Sequence, residues 1–113
     1  MSYIMSTTTE VGYLTDIKFR NAVKRALTGF RVLGKNDYGR FAVYIDGVYR
    51  DETLFEIRYA GGDWSKNGEA QLEKQLKLER QLTLAGFELV EFESTRFSEK
   101  RTAYGWRKRA LSN

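Results

Sequence analysis

Three features of the sequence predict a single mixed α/β domain. Two stretches carry apolar residues at helical spacing, several shorter ones alternate at the two-residue period of a strand, and glycines punctuate the junctions. A chain of 113 residues is the size of one domain. The predicted order is α-β-β-β-α-β with a further β at the end, in which a mixed sheet is flanked by two helices. Residues 1–14 read as a flexible N-terminal tail and residues 15–110 as the domain.

The first helix opens at Asp16 or Thr15, either of which can cap free backbone N–H groups. Phe19, Ala22, Val23, Ala26, Leu27 and Phe30 follow the spacing of one buried face, which leaves Lys18, Arg20, Lys24 and Arg25 outside it. Gly29 stands where a left-handed C-terminal cap belongs. Phe30 to Lys35 reads as a short strand and Asn36-Asp37-Tyr38-Gly39 as a turn. Phe41, Val43 and Ile45 alternate with Ala42 and Tyr44, the pattern of a half-buried strand. Asp46-Gly47 predicts a two-residue hairpin turn. The returning strand begins at Val48, with Asp51-Glu52 as a point of interruption. It places Phe55, Ile57 and Tyr59 on one face and Leu54, Glu56 and Arg58 on the other.

Gly61-Gly62 ends that strand. Asp63 or Ser65 opens a long helix to about Ala85. Leu72, Leu76, Leu78, Leu82 and Ala85 fall in one half of its wheel, opposite Glu73, Lys74, Lys77, Arg80 and Gln81. The loop Gly61-Gly62-Asp63-Trp64-Ser65 reads as turn and cap, without the spacing of a phosphate-binding fingerprint. Gly86 stops the helix. Phe87 to Glu93 is the next strand, and Thr102 to Arg109 a last one with Tyr104 and Trp106 on one face. Leu27-Thr28-Gly29-Phe30 echoes Leu84-Ala85-Gly86-Phe87. The match is too short for a repeat and reads as two helix–glycine–strand junctions built alike.

The chain has no histidine, cysteine or proline. Imidazole and thiol catalysis, Cys- or His-based metal sites and disulfides are thereby excluded. Carboxylate coordination of Mg²⁺ is not. No apolar run is long enough for a membrane span, and the N-terminal residues lack a signal-peptide pattern, so no membrane partner is expected and the expected location is the cytoplasm. The net charge of +4 favours a polyanionic partner such as nucleic acid.

Two constellations could carry function. In the first, Arg96, Lys100, Arg101, Arg107, Lys108 and Arg109 interleave with Phe97, Tyr104 and Trp106, while Lys18, Arg20, Lys24 and Arg25 add cations from the first helix. Cations hold phosphates and flat rings stack on bases. The competing reading is a strand whose aromatics pack inward while its cations stay solvated. In the second, Asp46 precedes a hairpin, and Glu56 and Arg58 lie two residues apart on one strand face. Two carboxylates and a cation are the minimum for metal-assisted phosphodiester hydrolysis.

Asp46 followed by Glu56-Ile57-Arg58, then Gly61-Gly62-Asp63-Trp64, a helix and Gly86-Phe87-Glu88-Leu89-Val90, resembles the PD-(D/E)xK nucleases, in particular their very-short-patch-repair-like branch. The resemblance implies Mg²⁺ held by Asp46 and Glu56. The motif's proline is absent, and Arg58 stands where a lysine is expected and cannot give up a proton.

The reading that follows is a small non-catalytic module, binding nucleic acid through a basic aromatic surface and needing no cofactor. A protein-binding inhibitor or adaptor, of the kind phage and mobile elements encode, is the alternative, with Tyr38, Tyr44 and Tyr49 as interface residues. A Mg²⁺-dependent nuclease is the second alternative. The sequence leaves the partner and the oligomeric state open.

Overall fold

The computed structural model describes residues 2–3, 9–14, 16–48, 51–60, 68–96 and 99–109; the side chains of 2–3, 9–11, 13, 51–52, 68–71, 95–96 and 99–101 lie outside that description. The elements are β1 (Ser2–Tyr3), β2 (Thr9–Tyr13), α1 (Ile17–Ala26), β3 (Ala42–Val48), β4 (Asp51–Ala60), α2 (Gly68–Leu84), β5 (Phe87–Arg96) and β6 (Glu99–Lys108). The mixed α/β architecture with two helices is as the sequence predicts. The expected helix caps Asp63 and Ser65, and the aromatics Tyr49, Trp64 and Phe97, lie outside the described residues.

The strands close on themselves. β2 pairs antiparallel with β3, β3 with β4, β4 with β6 and β6 with β5, and β5 returns to β2 in parallel. β1 lies parallel along the same edge of β5, at Val90 and Glu91. Both helices pack on the outside. Between them and the sheet sits the larger core of Val23, Leu27, Val43, Ile45, Phe55, Leu78, Leu82, Phe87 and Trp106. Phe55 is its centre, edge-on to Phe19 of α1 at 5.7 Å and to Phe87 of β5 at 5.3 Å, geometry that suits ring quadrupoles. Inside the ring, Val48, Leu54, Val90 and Phe92 form a second cluster with Ala103. Residues Ala42 to Asp46 are therefore buried on both strand faces, where alternation predicted a half-buried strand.

Three sequence expectations need correction. Residues 9–13, expected in a tail, form β2 and register with Val48, Gly47 and Asp46 on one side and Ser94 and Thr95 on the other. The strand follows directly on the polar run Ser6-Thr7-Thr8, which reads as a frayed end. Phe30 to Lys35 is not a strand. It makes a single parallel bridge, Val32 to Val43, before Gly34 and Asp37 fold the chain back. Asp46-Gly47 is not the hairpin turn but part of β3, opposite Glu56 and Phe55. The ladder then shifts to Val48–Asp51, and residues 49–50 lie outside the described residues. Gly47 sits close to Leu14, since a Cβ there would lie 3.0 Å from Leu14 Cδ1 and 3.3 Å from Leu14 Cα, a tight fit that Leu14 would have to yield to.

The helix ends follow expectation more closely. Asp16 caps α1 by accepting from Phe19 N at 3.1 Å. Gly29 and Gly86 both take positive φ, 89° and 97°, after the two helices, which accounts for the sequence echo as shared cap geometry. Gln81 of α2 donates from Nε2 to the carbonyls of Ala26 and Thr28, satisfying the end of α1 and joining the helices. Along α2 the buried arc is narrower than its leucines suggest. Leu78 and Leu82 are buried, while Leu72, Leu76 and Leu84 are exposed.

Gly105 has no room for a side chain. A Cβ would lie 2.9 Å from the Phe55 carbonyl oxygen and 3.0 Å from the Phe92 ring. Gly105→Ala is expected to cost about 1–3 kcal/mol through overpacking, read as a lower urea midpoint with an unchanged slope.

Candidate binding site

Of the twelve residues expected to contact nucleic acid, several of those described are taken up by the fold. Trp106 is 6% exposed and belongs to the helix-side core, so it offers no stacking face. Its neighbour two residues earlier, Tyr104, is 51% exposed on that same sheet face. Arg107 is engaged with Glu88, Nε to Oε1 at 2.8 Å. Arg109 donates to the Thr83 carbonyl in the last turn of α2, at 3.4 Å, and Arg20 to the Leu33 carbonyl at 3.0 Å. Lys18, Lys24, Arg25 and Lys108 are exposed. Lys24 and Arg25 lie in the last turn of α1, where cations complement the helix dipole. Arg96, Lys100 and Arg101 have strand backbones at the far end of the β5–β6 hairpin, and their side chains lie outside the description. Along β6, alternate positions turn to opposite sides of the ring.

The acidic set does come together. Asp46 and Glu56 are directly opposed across β3 and β4, as are Tyr44 and Arg58 one pair along, and all four share a face. Asp46 is 2% exposed and accepts from Arg58 Nε at 2.8 Å. The Arg58 guanidinium lies 4.0 Å above the Tyr44 ring. Among the described residues there is no group of three or more carboxylates placed to hold a metal. Removing the cation takes the ion pair from a buried carboxylate. Arg58→Met is therefore expected to destabilise by about 2 kcal/mol, less than a fully buried pair because Arg58 is partly solvated. The Asp46→Asn/Arg58→Met double variant should recover part of that loss in the same unfolding assay.

A surface that the sequence did not single out lies in residues 31–41. This segment carries Arg31, Lys35 and Arg40, with Asp37 as its one carboxylate. Asp37 Oδ2 accepts from Gly34 N at 2.9 Å, closing the turn. The Tyr44 hydroxyl donates to the Asp37 carbonyl, and an Arg31 nitrogen donates to the Tyr38 carbonyl. Tyr38, so held at its backbone, is 89% exposed. Phe41 has φ of 53°, a conformation a bulky residue rarely takes, and its partly exposed ring lies under the Lys74 ammonium at 5.1 Å. Arg20 fastens α1 to this segment at Leu33, and Lys24 lies one turn further on the same helix face. Lys74 thus stands over one exposed ring, and the segment that carries both rings holds three more cations, Arg31, Lys35 and Arg40. The legible signal was a run of alternating cations and aromatics within eleven residues, obscured because part of it reads as a strand.

A second feature lies on the far side of α2. β4 and β6 register at Leu54–Arg107 and Phe55–Trp106, and among the described residues their ladder ends there. Beyond that point Ile57 and Tyr59 of β4 face Leu89, Tyr104 and Trp106 across a groove of about 350 Å³ that Glu79 of α2 borders. Burial, reinforced by the Glu79 charge, pushes the Tyr59 phenol from 10.0 up to about 12. The folded state then holds this proton more tightly than the unfolded chain, so its stabilising contribution is complete below pH 10 and is lost as pH rises through about 12. An absorbance titration should show one tyrosine ionising near pH 12, absent in Tyr59→Phe. That variant should also lose less stability over the same interval.

Among the described residues, no helix is long and apolar enough to cross a membrane. Comparison of the chain with protein-family models, with curated proteins and with solved structures finds no match.

Proposed function

We propose that this protein is a non-catalytic nucleic-acid-binding module whose contact surface is the 31–41 segment with the adjoining faces of α1 and α2. The observation that carries this reading is the exposure of Tyr38 and Phe41 in a segment that also holds Arg31, Lys35 and Arg40, with Lys74 over the Phe41 ring. The one carboxylate of the segment is directed into its own turn. Cations along such a surface neutralise phosphates, and exposed rings offer stacking faces that any base can use. Rings projecting from a loop suit unpaired bases, which can be splayed onto them, better than a closed duplex. The reading replaces the C-terminal strand with this segment as the main contact, since Trp106, Arg107 and Arg109 are occupied in the fold.

Anisotropy titrations of labelled single-stranded oligonucleotides against salt test it. Affinity should fall steeply with salt, and Tyr38→Ala should weaken binding about tenfold because a base no longer has that ring to stack on. Lys35→Ala/Arg40→Ala should flatten the log–log salt slope by about one for each phosphate that is no longer neutralised. Salt-independent binding, or unchanged affinity in both variants, would reject the proposal.

A protein-binding role is the second reading, favoured by Leu72 and Leu76, which lie exposed one turn apart on α2. If oligonucleotides fail to bind and Leu76→Glu abolishes capture of a protein partner, this reading takes precedence.

A further inference from the structure

We propose that the groove between β4, β6 and α2 is a binding site for an organic ammonium group, free or carried on a basic peptide. Its walls combine the rings of Tyr59 and Tyr104 with the apolar side chains of Ile57 and Leu89, the largely buried Trp106 contributes only the small part of its ring that reaches the groove, and Glu79 stands at its edge. Aromatic faces carry the negative lobe of the ring quadrupole and attract a cation, most strongly when it is a poorly hydrated alkylammonium. Glu79 supplies the formal counter-charge. Glu91 is not part of the lining but registers with Tyr104 across β5 and β6, on the same strand face. The rings and Glu79 disfavour an anion and give a cation an advantage over a neutral apolar molecule of equal size. The space of about 350 Å³ lies in the range of small-ligand sites. A neighbouring cavity continues past Trp106 and Leu89 to Arg109, whose guanidinium is directed to the Thr83 carbonyl and bounds the site at that end.

The groove exists because β6 leaves β4 after two registered pairs while remaining paired with β5 along its length. An opening between two strands, roofed by a helix, gives a side chain or small cation an approach from solvent past the half-exposed Tyr104. This site is separate from the nucleic-acid surface. Failure of one does not bear on the other, and Tyr38→Ala should leave ammonium binding unchanged.

The test uses the full chain with Trp64→Phe, which leaves Trp106 as the single tryptophan reporter. Choline and its uncharged carbon analogue, with a tert-butyl group in place of trimethylammonium, are titrated at matched ionic strength while Trp106 fluorescence is followed. Saturable binding of choline, with the neutral analogue weaker by about fivefold, is expected. Glu79→Gln should weaken choline about fivefold and Tyr104→Leu about threefold. Both positions are exposed, so neither change disturbs the core. Bound choline should also lower the pH at which Tyr59 ionises. Tighter binding of a trimethyllysine peptide than of choline would identify a peptide as the source of the cation, and equal binding a free ligand. Equal affinity for the uncharged analogue, indifference to Glu79→Gln, or no saturable signal would each overturn the proposal.

Discussion

The fold depends on β6 serving two neighbours at once. At Trp106 and Arg107 its backbone registers with Leu89 and Glu88 of β5 and with Phe55 and Leu54 of β4. That shared stretch closes the circuit of strands. Closure gives Leu54, Val90 and Phe92 an interior to fill and leaves no space for a side chain at position 105. It also turns Trp106 outward beneath the helices, where it completes the core around Phe55. The brevity of the shared stretch matters equally. Because β4 and β6 part company beyond Phe55, the same arrangement that seals one region of the barrel opens a groove in the next.

The parts legible in the sequence were those whose information is local. Asp16 caps α1, Gly29 and Gly86 terminate helices, and Phe55, Ile57 and Tyr59 share a face as alternation predicts. The shared face of Glu56 and Arg58 was likewise readable from the two-residue period, whereas the opposition of Asp46 to Glu56 was not, because the turn was expected at Asp46-Gly47. What escaped was set by partners distant in the chain. β2 is a short strand beside a polar run, and its partners are β3 and β5. Gly47 resembles a turn glycine but lies within β3, close to Leu14. Trp106 looked like a base-stacking ring in a basic segment. Only the closure of the sheet decides that it faces the core while Tyr104 meets solvent.

Cation distribution follows the same division. Arginines on the C-terminal strand are drawn into the architecture, one to Glu88 and one to the carbonyl end of α2. The excess positive charge shows where backbone hydrogen bonds already hold the chain, in the segment after α1. Such a segment can present charge and rings without having to order itself on binding, which lowers the entropic cost of association. The groove on the other side of α2 has the opposite electrostatic character, with Glu79 at its edge and Glu91 in register with Tyr104. The two features thus differ in the sign of the charged residues that accompany their rings.

The pairing of β2 has a consequence for how the chain reaches this state. Thr9 cannot find its parallel partner until Ser94 has left the ribosome. The hairpin of β3 and β4 and both helices can form as they emerge, but the circuit waits for nearly the whole chain. Non-local pairings of this sort must close large loops before any ladder hydrogen bond forms, and they slow folding relative to helical domains of equal size. During synthesis the interior-facing Val48 and Leu54 stay uncovered until Val90 and Phe92 arrive. The nascent protein thus has a late, all-at-once closing step, and its exposure to aggregation is concentrated in the interval just before it.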